Sequence, residues 1–315
     1  MSATDTQAIP KRRFGRHEDE VTIIALGGGH IIRKNIDREM AIEIITAAVD
    51  AGINFIDEAW DYGDGVSEMY MGEALENCWD DLFLATKVCA RGYAEAAAQI
   101  DESLRRLRTD SVDLLQLHEC NYDNDPDLIF AADGAMRAVL EAREQGKVRY
   151  IGFTGHKHPA ILLDMLNRDM EWDCCQMPIN VLDSMFRSFA GQVLPGALEQ
   201  GMACVGMKSL GGFGQIATET GLTAQECRGY ALSQPITTLT CGISSLRDLE
   251  QDLAIARDFV PMTETEQAAL RDRVRDVAVD GRHEWFKTTN FFDNAFHRDQ
   301  HGFPEQADIR AKMGF

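Results

Sequence analysis

The sequence predicts an α/β fold in which one closed (β/α)8 barrel, a TIM barrel, occupies most of the 315 residues. Two observations predict it. Short apolar segments alternate with helix-like segments roughly every thirty residues, and no linker rich in proline, glycine or serine divides the series. We expect a short N-terminal hairpin before the barrel and an extended C-terminal tail after it.

The predicted strands are apolar almost without interruption. Such runs are typical of parallel strands whose sheet is covered on both faces. In chain order the eight strands are predicted at residues 21–26, 53–57, 82–87, 112–118, 148–153, 173–177, 202–207 and 236–241.

Apolar residues that recur every three or four positions predict the intervening helices. The first such stripe consists of Met40, Ile44, Ile45 and Ala48. Capping-box spacing predicts two helix starts, one at Thr223 with Glu226 and one at Thr263 with Glu266. A doubly wound open sheet is the alternative fold, but it would have a G-x-G-x-x-G turn after its first strand, where this chain has GGGH.

The predicted boundaries give one domain over residues 1–315. The barrel takes up about 17–278, and the tail 279–315 either packs beneath the helices or closes over the mouth of the barrel. Adjacent Cys174 and Cys175 lie in an apolar strand and are expected to pack as small hydrophobic residues.

The composition is that of an acidic globular protein. Its formal net charge is −20 and its isoelectric point is about 4.7, which predicts no attraction to nucleic acid or to anionic membranes. Eight cysteines are too few for a disulfide scaffold in a chain of this length, and neither a signal peptide nor a long apolar run is apparent. We expect a cytoplasmic protein with a small-molecule partner; the oligomeric state stays open.

Four ionisable side chains stand at or just after the ends of three consecutive predicted strands. Asp57 ends the second strand and Tyr62 follows it, whereas Lys87 and His118 end the third and the fourth. In a barrel the carboxyl ends of the strands surround one mouth, and barrel enzymes place their reactive groups there. We therefore expect these four side chains to lie together.

This combination suits proton transfer to a carbonyl oxygen. A phenol has a pKa near 10, and a neighbouring ammonium lowers that pKa by stabilising the phenolate. Lys87 would supply the ammonium, Asp57 would keep it charged, and His118 would orient a substrate oxygen. Tyr62 would then protonate a carbonyl as a hydride arrives, or accept the proton in the reverse direction.

The chain resembles the aldo-keto reductases. The resemblance is carried by residues 52–75, which begin GINFIDEAWDYGDG, and by the tetrad Asp57, Tyr62, Lys87 and His118. It implies that Tyr62 is the general acid of a nicotinamide-dependent oxidoreductase, that Lys87 and Asp57 tune it, and that His118 positions the carbonyl.

The same resemblance implies where the cofactor binds. Two strand-end residues would hold the nicotinamide amide, a methionine would cover its ring, the glycine-rich loop 208–214 would follow the pyrophosphate, and segment 242–252 would hold the adenosine half. The cofactor-binding residues so implied are Thr154, Gln176, Met207, Lys208, Leu210, Gly212, Gly242, Ser244, Arg247, Asp248, Gln251 and Asp252.

Several positions depart from the family pattern. Glu58 replaces the usual threonine, which we expect to alter local pKa values or substrate preference, and Gly155 replaces the usual asparagine beside Thr154. Asp248 stands where relatives that prefer NADPH usually carry a basic residue; it would repel a 2′-phosphate unless Arg247 turned inward. NADP(H) is the family default, and NAD(H) is the possible alternative.

Substrate contacts are expected from Trp60, Glu119 and Trp285. Two alternatives to a general carbonyl reductase stay open: an NAD-dependent sugar (aldose) dehydrogenase on the same barrel, and a regulatory subunit that senses the cofactor without catalysis. No metal site is predicted, because the histidine pairs at 156/158 and 297/301 show no converging cysteine or carboxylate in the sequence.

Overall fold

A two-stranded antiparallel hairpin opens the computed structural model, which describes residues 7–288 and 294–313. Strand β1 (Lys11–Arg13) pairs with β2 (Glu20–Thr22). The loop between them sends Phe14 into the amino-terminal end of the barrel, where its ring lies 4.5 Å from that of Phe83 and 6.4 Å from that of Phe55. The hairpin therefore plugs one end of the barrel and leaves the opposite end for a site.

The predicted closed (β/α)8 barrel is confirmed. In the described residues eight parallel strands pair in sequence order and the last pairs with the first. They are β3 (Ile24–Gly27), β4 (Phe55–Asp57), β5 (Phe83–Val88), β6 (Val112–Leu117), β7 (Val148–Thr154), β8 (Cys174–Pro178), β9 (Ala203–Met207) and β10 (Thr238–Gly242). Seven of the eight predicted strands coincide with these to within two residues at either end.

The first predicted strand, 21–26, was wrong as a single element. The chain bends at Ile23, so its first part belongs to β2 and its second part to β3. Thr22 holds the bend: its amide donates to Asn54 Oδ1 at 2.7 Å and its hydroxyl donates to the Ile24 carbonyl at 2.8 Å. An apolar run cannot reveal such a bend, because both halves are buried.

Helices cover the outside of the barrel. Those of the described residues include α1 (Arg38–Asp50), α2 (Val66–Leu75), α3 (Tyr93–Leu107), α4 (Asp125–Ile129), α5 (Ala135–Glu144), α6 (Pro159–Leu166), α7 (Phe189–Gln192), α8 (Leu194–Glu199), α9 (Gln215–Thr220), α10 (Ala224–Leu232), α11 (Leu246–Arg257) and α12 (Glu264–Ala278), followed in the tail by Ala295–Gln300 and Gln306–Met313. Not one of them combines the length and apolar character needed to cross a membrane.

The helices confirm two predicted starts and correct one predicted buried face. Both predicted capping boxes are present, at the starts of α10 and α12. The stripe predicted on α1 needs a correction: Met40 is 41% exposed, and Ala41 takes its place beside the buried Ile44, Ile45 and Ala48. Cys174 and Cys175 are buried and unbridged, as predicted.

The tail crosses the carboxyl-terminal end of the barrel. Lys287 is fully buried and its ammonium lies 2.8 Å from Asp183 and 2.9 Å from Glu284. Further along, His297 pairs with Glu119 at 2.7 Å and His301 with Asp125 at 2.5 Å. Of the two placements that the sequence left open, the structure shows the one over the mouth.

Candidate active site

The four tetrad side chains meet at the carboxyl-terminal end of adjacent strands. Lys87, on β5, places its ammonium 2.7 Å from Asp57 Oδ1 at the end of β4, and 3.4 Å from the hydroxyl of Tyr62 in the loop that follows β4. The ring of His118, just after β6, lies edge-on to that of Tyr62 with 5.7 Å between the centroids. The predicted convergence is present.

Burial sets the protonation of these groups. Burial is the largest influence on the Tyr62 phenol and raises its pKa, and nearby carboxylates add to the rise; Lys87 opposes both but does not outweigh them. Lys87 thus lowers the Tyr62 pKa as expected, but burial, which the sequence did not show, makes the net shift upward. Burial disfavours the Lys87 ammonium, but Asp57 and Tyr62 more than compensate and raise its pKa. The site thus holds a neutral phenol beside a charged ammonium.

Polar residues of other strands fix the Asp57 carboxylate. Its Oδ2 accepts hydrogen bonds from Gln176 Nε2 at 2.6 Å and from the Thr240 hydroxyl at 2.8 Å. Gln116 in turn donates to Gln176 Oε1 at 2.9 Å. One carboxylate oxygen is therefore tied to the far side of the barrel while the other faces Lys87, which keeps the ammonium aimed at Tyr62.

Glu58 lies directly behind the tetrad. Its carboxyl group is fully buried, accepts a hydrogen bond from the Ser67 hydroxyl at 2.7 Å, and packs against Gly28, where a Cβ would come within 1.9 Å of it. Burial raises the Glu58 pKa to about 8, and the nearby Glu68 adds to the rise against the effect of the Ser67 hydrogen bond. A carboxylic acid in this position is largely neutral at neutral pH.

His118 has two close neighbours that the sequence did not identify. Asp61 Oδ1 lies 3.1 Å from His118 Nδ1, and Cys89 Sγ lies 3.4 Å from the same nitrogen. The available signal was position alone: Asp61 directly precedes Tyr62, and Cys89 comes two residues after Lys87, so both follow strand ends that already carry a tetrad residue.

A cavity of about 470 Å³ opens beside the tetrad. Every predicted cofactor residue except Arg247 lines it, and Arg247 is exposed on α11 outside the cavity wall. The predicted residues that line it, besides the tetrad, are Thr154, Gln176, Met207, Lys208, Leu210, Gly212, Gly242, Ser244, Asp248, Gln251 and Asp252.

Cations gather along this cavity although the whole chain is acidic. Arg33 donates to the Gly212 carbonyl at 2.9 Å, and Arg228 binds Ser209 at 2.7 Å; neither was predicted from sequence. Lys208 is half-buried in the cavity wall and pairs with no carboxylate among the described residues. Its removal from solvent is the main cause that lowers its pKa. Gly212, with φ of 98°, permits the backbone turn of the loop that carries Lys208.

The acidic residues at the start of α11 have local partners. Asp248 Oδ2 accepts a hydrogen bond from the Ser244 amide at 3.1 Å, while the Asp248 amide donates to Ser245 Oγ at the start of the helix. Asp252 is buried and forms a two-point ion pair with Arg228, at 3.1 and 2.9 Å. The negative charge of Asp252 is therefore neutralised by Arg228, whereas Asp248 lines the cavity with its carboxylate bound to the Ser244 amide.

The three predicted substrate residues do not line this cavity. Trp60 points towards α3, where its indole nitrogen donates to Glu102 at 3.0 Å. Glu119 binds the tail through His297, and Trp285 lies 43% exposed with its ring 6.2 Å from that of Phe213. Carboxylates also lie close to His156 and to the tail histidines, for example Glu119 near His156 and Asp125 near His301. The spacing of the histidines along the chain did not reveal these carboxylates.

Comparisons with known proteins show which family the chain matches. A model of the Aldo/keto reductase family matches residues 23–256. L-galactose dehydrogenase of Arabidopsis thaliana is 34% identical over 47% of this chain and 49% of its own length, and pyridoxine 4-dehydrogenase of Escherichia coli is 26% identical over 73% and 85%. An aldo-keto reductase from Bacillus halodurans, solved in its holo form, has a TM-score of 0.70 at 23% identity over 88% of this chain and 99% of that one.

The curated relatives and the chain share only part of their length. The segments matched in the first curated relatives span about half of those proteins or less. The structural likeness, at 23% identity, concerns the fold. The family model, however, spans well over half of the 315 residues and includes the whole tetrad, so the chain belongs to the aldo/keto reductase family.

Proposed function

We propose that the protein is a nicotinamide-dependent oxidoreductase that interconverts a carbonyl group and an alcohol, with Tyr62 as the general acid and base. One observation carries the proposal: the Tyr62 hydroxyl lies 3.4 Å from the Lys87 ammonium, which is itself 2.7 Å from Asp57, at the wall of a cavity of about 470 Å³. A carboxylate, an ammonium and a phenol in this order suit a phenol that gives up and regains a proton.

The residues of the cavity fit a dinucleotide. Thr154 and Gln176 offer polar atoms at the strand ends beside the tetrad, where an amide-bearing ring would lie next to Tyr62. Lys208 and Arg33 offer positive charge at the glycine-rich loop, where phosphates would lie. When bound, a nicotinamide supplies or accepts the hydride.

The protein's own groups would handle the proton. In the reductive direction Tyr62 donates its phenolic proton to the carbonyl oxygen, and Lys87 stabilises the phenolate that is left. Asp57 keeps Lys87 charged and aimed. His118, in the cavity wall, donates or accepts a hydrogen bond that orients the substrate oxygen. In the oxidative direction the phenolate of Tyr62 takes the proton of the alcohol.

The cofactor preference turns on Asp248. NADP(H) is the default for the family, but Asp248 lines the cavity where a 2′-phosphate would need positive charge, and Arg247 lies outside the cavity. A carboxylate there would suit a ribose 2′-hydroxyl, as in NAD(H). This observation favours, as the second candidate, an NAD-dependent dehydrogenase of sugars, the class of substrate named in L-galactose dehydrogenase.

One titration and one activity screen test the proposal. We expect the intrinsic fluorescence of the protein to be quenched saturably by NADPH, by NADH or by both, and the ratio of the two dissociation constants to identify the preferred cofactor. We then expect a panel of aldehydes, ketones and aldoses to include at least one compound whose turnover consumes the preferred cofactor.

Two outcomes would each exclude one of the candidate functions. A strong preference for NADPH excludes the NAD-dependent sugar dehydrogenase. Saturable cofactor binding without turnover of any compound in the panel, in either direction, contradicts the catalytic proposal and supports a regulatory subunit that senses the cofactor.

A further inference from the structure

Three side chains with metal-ligating atoms meet at His118. Asp61 follows β4, Cys89 follows β5 and His118 follows β6, so the order of the barrel strands brings them together from distant parts of the sequence. One carboxylate oxygen, the thiol sulfur and a ring nitrogen lie within 4.8 Å of one another. Asp61 and Cys89 have no place in the reaction proposed above.

The spacing of these atoms is close to that of a tetrahedral metal site. Zinc binds nitrogen and oxygen ligands at about 2.0–2.2 Å and thiolate sulfur at about 2.3 Å, so tetrahedral angles place neighbouring ligands roughly 3.3–3.6 Å apart. The distances from His118 Nδ1 are 3.1 Å to Asp61 Oδ1 and 3.4 Å to Cys89 Sγ. Small side-chain movements would therefore suffice for coordination.

The carboxylate of Asp61 supplies a second observation. Its Oδ1 is buried and faces the two other members of the cluster, His118 Nδ1 at 3.1 Å and the Cys89 thiol. In the tautomer that carries its proton on Nε2, His118 donates nothing to this oxygen, and a cation would satisfy both atoms. The Asp61 side chain as a whole is 24% exposed, which leaves a route from solvent to the buried Cys89 and His118.

We propose that Asp61, Cys89 and His118 form a binding site for a thiophilic divalent cation of the zinc class, and that its occupation inhibits the enzyme. On binding, the S–H bond of Cys89 breaks, its proton leaves to solvent, and the sulfur, the Nδ1 of His118 and Oδ1 of Asp61 each donate an electron pair to the ion. No oxidant or reductant takes part. With three protein ligands, the fourth position is left to water.

Inhibition follows from the position of His118. Its ring lines the cavity and lies beside Tyr62, so an ion on Nδ1 would fix the ring. The ion would also raise the net charge beside the proton donor by one unit, since loss of the Cys89 proton offsets half of the charge that it brings. Burial chiefly, and then Asp61, raises the pKa of the Cys89 thiol. Because the ion binds the thiolate, this rise opposes binding, and binding becomes stronger as the pH increases. Only the inhibition rests on the proposed function; the binding itself does not.

Cobalt(II) is the probe, because tetrahedral cobalt thiolates absorb visible and near-ultraviolet light. We expect the full-length protein, reduced and freed of metals, to develop a thiolate-to-cobalt band and visible bands on titration with Co²⁺, and equimolar Zn²⁺ to bleach them. Cys89→Ser should lose the thiolate band, and Asp61→Asn should bind Co²⁺ at least about tenfold more weakly. Cys78→Ser, at a half-buried cysteine elsewhere, is the matched control and should behave as wild type.

Turnover gives the second measurement. Zn²⁺ should inhibit the wild type and Cys78→Ser alike, and inhibition of Cys89→Ser should need at least about tenfold more Zn²⁺. The proposal is overturned if wild type gives no thiolate band, or if Cys89→Ser keeps the band of wild type. Circular dichroism verifies folding, and Asp61→Asn decides the matter if Cys89→Ser does not fold. Because Co²⁺ binding is measured without cofactor, failure of the proposed function leaves this result unaffected.

Discussion

At the scale of single residues, burial governs the charges around the barrel mouth. Lys87 keeps its proton because Asp57 and Tyr62 outweigh the cost of burial. Glu58, whose carboxyl forms no ion pair within residues 7–288 and 294–313, has its pKa raised to about 8 by burial. The tetrad therefore lies next to a group that changes charge near neutral pH. That group stands at one of the positions where the sequence predicts a departure from the family pattern.

Replacing Glu58 by Gln should remove a pH-dependent part of the stability. The carboxyl stays protonated in the folded protein up to about pH 8, but in the unfolded chain only up to about pH 4.5. Stabilisation is thus complete below about pH 4.5 and is lost as the pH rises towards 8. Between these limits we expect the unfolding free energy of wild type to fall by on the order of 1–4 kcal/mol relative to Glu58→Gln.

Urea denaturation at intervals of pH measures this difference. Glu144→Gln, at an exposed position near the end of α5, is the control and should follow wild type. Parallel pH profiles for wild type and Glu58→Gln would show that Glu58 is not held in its protonated form.

At the scale of elements, the tail is joined to the barrel mouth by buried charge. Lys287 lies between Asp183 and Glu284 with no exposure, and His297 and His301 bind acidic residues that follow β6. These contacts hold the described parts of the tail beside the cavity. Tail docking and the shape of the site are therefore linked.

Replacing Lys287 by Met should be strongly destabilising. The change leaves the carboxylates of Asp183 and Glu284 buried without their cation, and breaking a buried pair in this way costs about 3–5 kcal/mol. Lys147→Met, which breaks a largely exposed pair with Asp101, is the matched control and should cost less than about 1 kcal/mol. Equal unfolding free energies of the two variants in urea would contradict the role given to Lys287.

Strand ends were predictable from sequence, but side-chain directions were not. Asp57, Lys87 and His118 could be placed because an apolar run shows where a strand ends. Trp60 could not, because its contact with Glu102 depends on the packing of α3 against a loop. Asp61 and Cys89 escaped because they lie in the loops after β4 and β5, and position after a strand end does not show that a side chain turns towards His118.

At the scale of the whole molecule, an acidic protein would bind an anionic cofactor. The net charge is −20, and the attraction has to come from cavity cations such as Lys208 and Arg33. The single-domain boundary, the cytoplasmic location and the absence of nucleic-acid binding stay predictions from the sequence.

Cofactor binding should stabilise the folded protein, and this stabilisation should depend on Lys208. A ligand that binds only the folded state at about a hundred times its dissociation constant adds about 2.7 kcal/mol, which raises the melting temperature by several degrees. We expect Lys208→Met to lose most of this rise at the same cofactor concentration, and Lys147→Met to keep it. Thermal melts with and without cofactor measure it, and an undiminished rise in Lys208→Met would remove Lys208 from the phosphate site.

The most direct test of the central claim is the turnover of Tyr62→Phe compared with its cofactor affinity. Loss of the phenolic hydroxyl removes the proton donor but leaves the ring, so we expect kcat to fall by about a thousandfold or more while the cofactor dissociation constant changes by less than about threefold. Turnover of Tyr62→Phe at the rate of wild type would contradict the assignment of Tyr62 as the acid and base.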